Sequence, residues 1–107
     1  MPLPIHKGLA EGRWRELSLC EQLANIGGEV SRAQAWQTRD SKIFEGAVSR
    51  ALELFELTLD DPRWRGRGRE IARSREVFLD AISGGKEYQS SLGDLVRYFD
   101  QFALCAR

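Results

Sequence analysis

Apolar residues recur at three- and four-residue steps over four stretches of the chain and nowhere alternate, a pattern that predicts helices and no strands. In the first stretch Leu19, Leu23, Ile26, Val30 and Ala33 fall on one stripe. Ser18 and Glu21 precede it at capping-box spacing, so the first helix is expected to start there. Gly27-Gly28 interrupts this stripe at about 1 kcal/mol per glycine relative to alanine, a choice that close contact with another helix would explain. Trp36, near the end, reads as a core-edge residue rather than a ligand platform.

The second stretch follows a turn over Thr38 to Ser41 and has a broad apolar face of Phe44, Ala47, Val48, Ala51, Leu52, Leu54, Phe55 and Leu59, wide enough for two neighbours. Pro62 should end it, because proline lacks an amide donor and disfavours helical geometry at the residue before it. A third helix then turns Ile71, Ser74, Phe78 and Ile82 inward and stops at Gly84-Gly85, a left-handed cap. Ser91 and Asp94 open a fourth, whose inner stripe reads as Leu92, Leu95, Val96, Phe99, Ala103 and Ala106. Short connections and the absence of any internal repeat make an antiparallel four-helix bundle over residues 18–107 the expected all-α fold. Pro2, Pro4, Gly8 and Gly12 predict a short irregular N-terminal arm over 1–17, whose Leu3, Ile5, Leu9 and Trp14 can lie on a neighbouring surface.

Composition changes this picture little. At 107 residues and 42% apolar, the chain fits one domain with one core. No apolar run approaches the ~18 residues of a membrane span, and Met1 to Lys7 lacks the apolar core of a signal peptide, so a cytoplasmic protein without membrane contact is expected. Cys20 and Cys105 stand far apart with no metal-ligand spacing around them, which argues against zinc. His6, the single histidine, lies in the proline-flanked leader and reads as a solvated side chain.

Charge changes it more. The chain is formally neutral, yet residues 1–61 carry 7 Lys/Arg against 10 Asp/Glu, and residues 62–107 carry 9 against 6. Arg63, Arg65, Arg67, Arg69, Arg73 and Arg75 crowd one short stretch with only Glu70 to oppose them. At about 100° per residue Arg65, Arg69, Arg73, Glu76 and Asp80 form one line, nearly opposite Ile71, Phe78 and Ile82. Cations at a helix N-terminus oppose the macrodipole, while Glu45, Glu53, Glu56 and Asp60 line the outer face of the preceding helix. Three readings follow: the charges pair within the chain or face solvent, they meet complementary charges of a second subunit, or the arginines bind phosphate with Trp64, Trp14 and Tyr98 as stacking surfaces. The candidate partner or nucleic-acid site is therefore Arg63, Arg65, Arg67, Arg69 and Arg73. Tyr98, Phe102 and Cys105 fall to one side of the last helix's stripe and Leu104 to the other, which marks them as a candidate oligomer interface.

The inventory offers no catalytic residues, metal ligands or cofactor motif. Arg-Gly-Arg-Gly-Arg lacks both the Walker spacing and the preceding strand of a phosphate loop. The small helical ribonucleases of the higher-eukaryote and prokaryote nucleotide-binding group present an arginine followed closely by a histidine, and no histidine follows an arginine here. A non-enzyme is expected.

Two segments, Leu23-Ala-Asn-Ile-Gly-Gly-Glu-Val30 and Arg50-Ala-Leu-Glu-Leu-Phe-Glu-Leu-Thr-Leu-Asp-Asp-Pro-Arg-Trp64, resemble in outline a group of uncharacterised prokaryotic helical proteins. In size and topology the chain is also similar to the four-helix proteins encoded in 23S ribosomal RNA intervening sequences and to the accessory proteins of diversity-generating retroelement reverse transcriptases. That resemblance implies a ring-like homo-oligomer and an adaptor that binds a protein or ribonucleoprotein partner, a reverse transcriptase with its RNA among them, through basic surface. A purely structural homo-oligomer is the alternative, and a nucleic-acid-processing enzyme stands third.

Overall fold

A computed structural model describes residues 9–106, with side chains from Gly12 onward, and the described residues are all-α. The expectations for His6, Pro2, Pro4, Leu3 and Ile5 lie outside the described residues, as does the side chain of Leu9. Five α-helices follow one another: α1 (Leu9–Trp14), α2 (Leu19–Trp36), α3 (Ser41–Leu59), α4 (Gly68–Ile82) and α5 (Leu92–Cys105). A 3-10 segment, Pro62–Arg67, joins α3 to α4.

Local chemistry sets most of these boundaries. Ser18 accepts from the Glu21 amide at 3.1 Å while Glu21 accepts from the Ser18 amide at 2.9 Å, so the box at the head of α2 is closed in both directions. Asp40 caps α3 through the Lys42 and Ile43 amides. Ser91 and Asp94 close a second box at α5. Beyond α4, Gly84 and Gly85 take φ of 114° and 72°. The Gly85 amide returns to the Asp80 carbonyl at 2.8 Å, the left-handed ending that glycine permits.

α2 packs along its length against α3 and α5, whereas α4 leans on α3 and touches α5 lightly. Phe55, Phe78 and Phe99, one each from α3, α4 and α5, meet at the centre with ring centroids 6.0 and 6.1 Å apart. Ile26 and Val30 of α2 complete this core and are fully buried. Gly27 explains how α2 and α5 come so close: a Cβ at this position would stand 2.6 Å from Phe99 Cβ. At Gly28 a Cβ would meet nothing within 4 Å, so contact accounts for one of the two glycines.

Two expectations are corrected, and a covalent link joins two helices. The arm over 1–17 is not irregular from residue 9 on. It forms α1, which ends on Trp14, only 6% exposed, and Trp14 Nε1 donates to Thr58 Oγ1 at 3.0 Å. An indole seated on α3 with its polar edge satisfied fixes this segment despite Gly12. The inner stripe of α5 keeps Leu92, Leu95, Val96 and Phe99 but continues through Phe102, while Ala103 is exposed. The aromatic ring buries more apolar area than the methyl, and so it decides the rotation of the last turn. Lastly, Cys20 and Cys105 form a disulfide that ties the first turn of α2 to the last of α5 across 85 residues.

Candidate functional site

The six arginines of the basic stretch do not act as one set. Pro62 at the start of the 3-10 segment and the non-helical Trp64 (φ −106°, ψ 22°) break the helix register, so Arg65 does not continue the line of Arg69 and Arg73. Their environments differ as well. Arg63 turns to its own chain: its Nε lies 3.1 and 3.2 Å from the two Asp61 carboxylate oxygens, and Nη2 donates to Asp61 Oδ2 at 2.7 Å and to the Leu17 carbonyl at 2.8 Å. Its guanidinium also sits 4.4 Å from the centre of the Trp64 ring.

Asp61 is 2% exposed and also accepts from Gln22 Nε2 at 3.2 Å. The Arg63 hydrogen bonds outweigh burial and hold its carboxyl at about 2, well below the usual 3.8. Gln22 itself is fully buried, with Nε2 donating to the Trp14 carbonyl at 2.7 Å and Oε1 accepting from Trp64 Nε1 at 2.8 Å. Arg63, Asp61, Gln22, Trp14, Thr58 and Trp64 thus make one polar knot that fastens α1 and the 3-10 segment to α2 and α3. Buried polar groups in such a network stabilise only when every member is satisfied, which assigns Arg63 and Trp64 to the fold.

Two more arginines have carboxylate partners. Arg67 pairs with Glu70 at 3.4 Å, and Arg75 reaches back to Glu56 of α3 at 3.0 Å. The first is a local pair three residues apart, and the second joins α4 to α3 as the reading of charges paired within the chain expects. Arg73 lies 5.8 Å from the Tyr88 ring centre, and Tyr88 donates from its hydroxyl to Glu76 at 3.1 Å, a bond that raises the phenol's pKa. Asp80 accepts from the Glu87 and Tyr88 amides. Glu76 and Asp80, expected on an outward line, therefore hold the α4–α5 connection against α4. Arg65 and Arg69 are exposed and, among the described residues, have no carboxylate within ion-pair distance.

Because α4 and α5 touch only lightly, a groove of about 380 Å³ opens between them. Val77 and Leu95 form its apolar floor, and Arg73, Glu70, Asp94 and Tyr98 stand along it. The Tyr98 hydroxyl donates to Glu70 at 3.3 Å, and burial raises its pKa. Among the described residues no group of three or more His, Cys, Asp or Glu stands close enough to hold a metal ion. No helix among the described residues is long and apolar enough to cross a membrane.

Of the four residues assigned to an oligomer interface, three are engaged within the chain. Tyr98 and Phe102 are half-buried against the core, their rings 5.5 Å apart. Cys105 is bonded to Cys20. Leu104 alone projects, at 71% exposure.

No family model, no curated protein and no solved structure matches the chain.

Proposed function

We propose that this chain is a non-enzymatic adaptor: an antiparallel four-helix bundle, formed by α2 to α5, that binds a protein or ribonucleoprotein partner through Arg65, Arg69 and Arg73, the last of which lines the α4–α5 groove. One observation carries the reading. Among the described residues Arg65 and Arg69 have no carboxylate partner and are exposed, and Arg73 lies along an open, apolar-floored groove of the size that takes a few side chains of another molecule. Unpaired guanidinium forks suit the carboxylates or phosphates of a partner, while the groove supplies the apolar area that a charged face lacks. The resemblance to intervening-sequence and retroelement accessory proteins points the same way, toward a homo-oligomer working beside a ribonucleoprotein such as a reverse transcriptase.

Leu104 favours a second reading, a structural homo-oligomer without further partner, since a leucine exposed to this degree at a helix end is suited to burial against another copy.

Replacing Arg65, Arg69 and Arg73 together with glutamine separates the readings. For a ribonucleoprotein role the wild type binds RNA with affinity falling steeply in salt, and the folded variant loses that binding. For subunit contacts, light scattering records a smaller assembly and RNA binding is absent throughout. Unchanged assembly, with no partner lost from a pull-down, overturns the adaptor reading.

A further inference from the structure

A second basic surface lies on α2 and α3 and shares no residue with the α4–α5 groove. The last turns of α2 and the first of α3 enclose an open cavity of about 590 Å³, lined by Arg32, Trp36, Lys42, Ile43, Gly46 and Arg50. Three of these six side chains are cations and none is an acid. Among the described residues Arg32 and Lys42 have no carboxylate partner, and Arg50 Nη1 is held only loosely, 3.8 Å from Glu29. Asp40 is engaged by the Lys42 and Ile43 amides, and Glu45, which precedes Gly46, is exposed and does not line the cavity.

Trp36 is the second part of the argument. Although it lies on α2, it is not among the side chains packed on the core, and it remains half-buried. The Arg39 guanidinium lies over its ring, 5.0 Å from the centre, and Trp36 is one of the residues that line the cavity. Ile43, 38% exposed, stands at the same cavity and is, among the described residues, one of two large apolar side chains left in solvent. Gly46 adds no side chain to the cavity wall, and Arg50 Nη1 lies 3.9 Å from where its Cβ would stand, an ordinary contact distance.

Three cations around a planar indole and an aliphatic side chain call for a ligand whose negative charge and flat apolar body are joined within a few ångströms. A peptide of acidic residues alone would satisfy the cations but leave Trp36 and Ile43 without a partner. We infer that the Arg32/Trp36/Arg50 cavity binds a nucleoside phosphate, with the phosphate among Arg32, Lys42 and Arg50 and the base against Trp36 and Ile43. The same chemistry is offered by a free nucleotide and by one nucleotide of a single strand.

The test uses the full chain, ¹⁵N-labelled, titrated with adenosine monophosphate, ribose 5-phosphate and an oligonucleotide of about twelve residues, and followed through the Trp36 indole and Gly46 amide resonances. Adenosine monophosphate is expected to shift both and to bind roughly five- to hundred-fold more tightly than ribose 5-phosphate, the range that base–aromatic stacking supplies. Trp36→Leu should erase that preference, and Arg32→Gln with Arg50→Gln should weaken both ligands roughly tenfold or more. Binding of the oligonucleotide far above that of the monophosphate, with steep salt dependence, identifies a strand as the source, and equal affinity identifies a free nucleotide. The inference is overturned if ribose 5-phosphate or an oligoglutamate binds as well as the nucleotide. It is equally overturned if nothing shifts at millimolar ligand in low salt, or if binding survives Arg32→Gln/Arg50→Gln and is lost in Arg65→Gln/Arg69→Gln/Arg73→Gln. All variants change exposed or half-buried side chains, and circular dichroism confirms their helix content before titration.

Discussion

Gly27 and Gly28 adjoin in sequence yet should respond in opposite directions to the same added methyl. For Gly28→Ala nothing lies within 4 Å of the new Cβ, so the variant gains only helix propensity, about 0.5–1 kcal/mol. For Gly27→Ala the new Cβ would stand 2.6 Å from Phe99 Cβ, against an ordinary carbon contact of about 3.5–4.0 Å. The obstacle is a Cβ rather than the end of a flexible side chain. No rotamer change of Phe99 relieves it, and α2 and α5 must separate by about 1 Å. Phe99 is also wedged among Phe55, Tyr98 and Phe102, with ring centroids 6.1, 5.1 and 6.2 Å away, so the shift disturbs the central core. Overpacking of this kind costs about 1–3 kcal/mol. Taking the upper end because backbone must move, and subtracting the propensity gain of about 1 kcal/mol, leaves a net loss of about 2 kcal/mol. The two variants should therefore differ by about 3 kcal/mol, a separation of about 1–3 M in urea midpoint. Urea unfolding followed by far-ultraviolet circular dichroism, with the disulfide intact in every sample, measures this. Two variants of equal stability, or a stabilised Gly27→Ala, would refute the close approach of α2 and α5.

Asp61 has its folded pKa depressed to about 2 from 3.8, so its contribution is complete above about pH 4 and is lost as pH falls through 2. Solvent at the 40% exposed Arg63 side chain screens part of it, leaving about 1–2 kcal/mol, and the stability of Asp61→Asn should lack this share of the decline between pH 5 and 2 in urea titrations. Ser18→Ala should cost about 0.5–2 kcal/mol through the lost cap and Phe99→Ala about 3–5 kcal/mol through a cavity, with reversed order in chemical denaturation counting against the α5 register. Replacing Cys20 and Cys105 together with serine should destabilise by about 2–4 kcal/mol, below the roughly 4.5 kcal/mol of loop-closure entropy for a ring of this length, and an unchanged midpoint would refute the pairing.

What was legible in the sequence is what local chemistry decides. The boxes at Ser18 and Ser91, the stop at Pro62 and the ending at Gly84-Gly85 each depend on residues within a few positions of one another, and each stands where the spacing places it. Features set by distant partners were hidden. Trp14 is fixed by Thr58, 44 residues on, and Arg63 reaches the Leu17 carbonyl 46 residues back. Within the arginine run no pattern separates Arg63, drawn inward by a buried carboxylate, from Arg65 and Arg69, which have none. Stripe counting likewise misses the last turn of α5, where Phe102 and the bond from Cys105 to Cys20 fix a rotation that favours neither Ala103 nor Ala106. The Trp36 cavity escaped because its cations come from two helices. Trp36 reads as a core-edge residue until α3 brings Lys42 and Arg50 beside it.

The bond between Cys20 and Cys105 has a mechanical consequence. Tension applied to the chain outside these two residues passes directly from α2 to α5 through sulfur, and the 84 residues between them carry none of it. Under load α1 peels away first, breaking the Trp14 to Thr58 contact, while α3, the 3-10 segment and α4 cannot lengthen. An oxidised molecule held by its two ends is thus a short tether with a closed ring attached, and the arginine face and the Trp36 cavity, both inside that ring, keep their shape while the molecule is pulled.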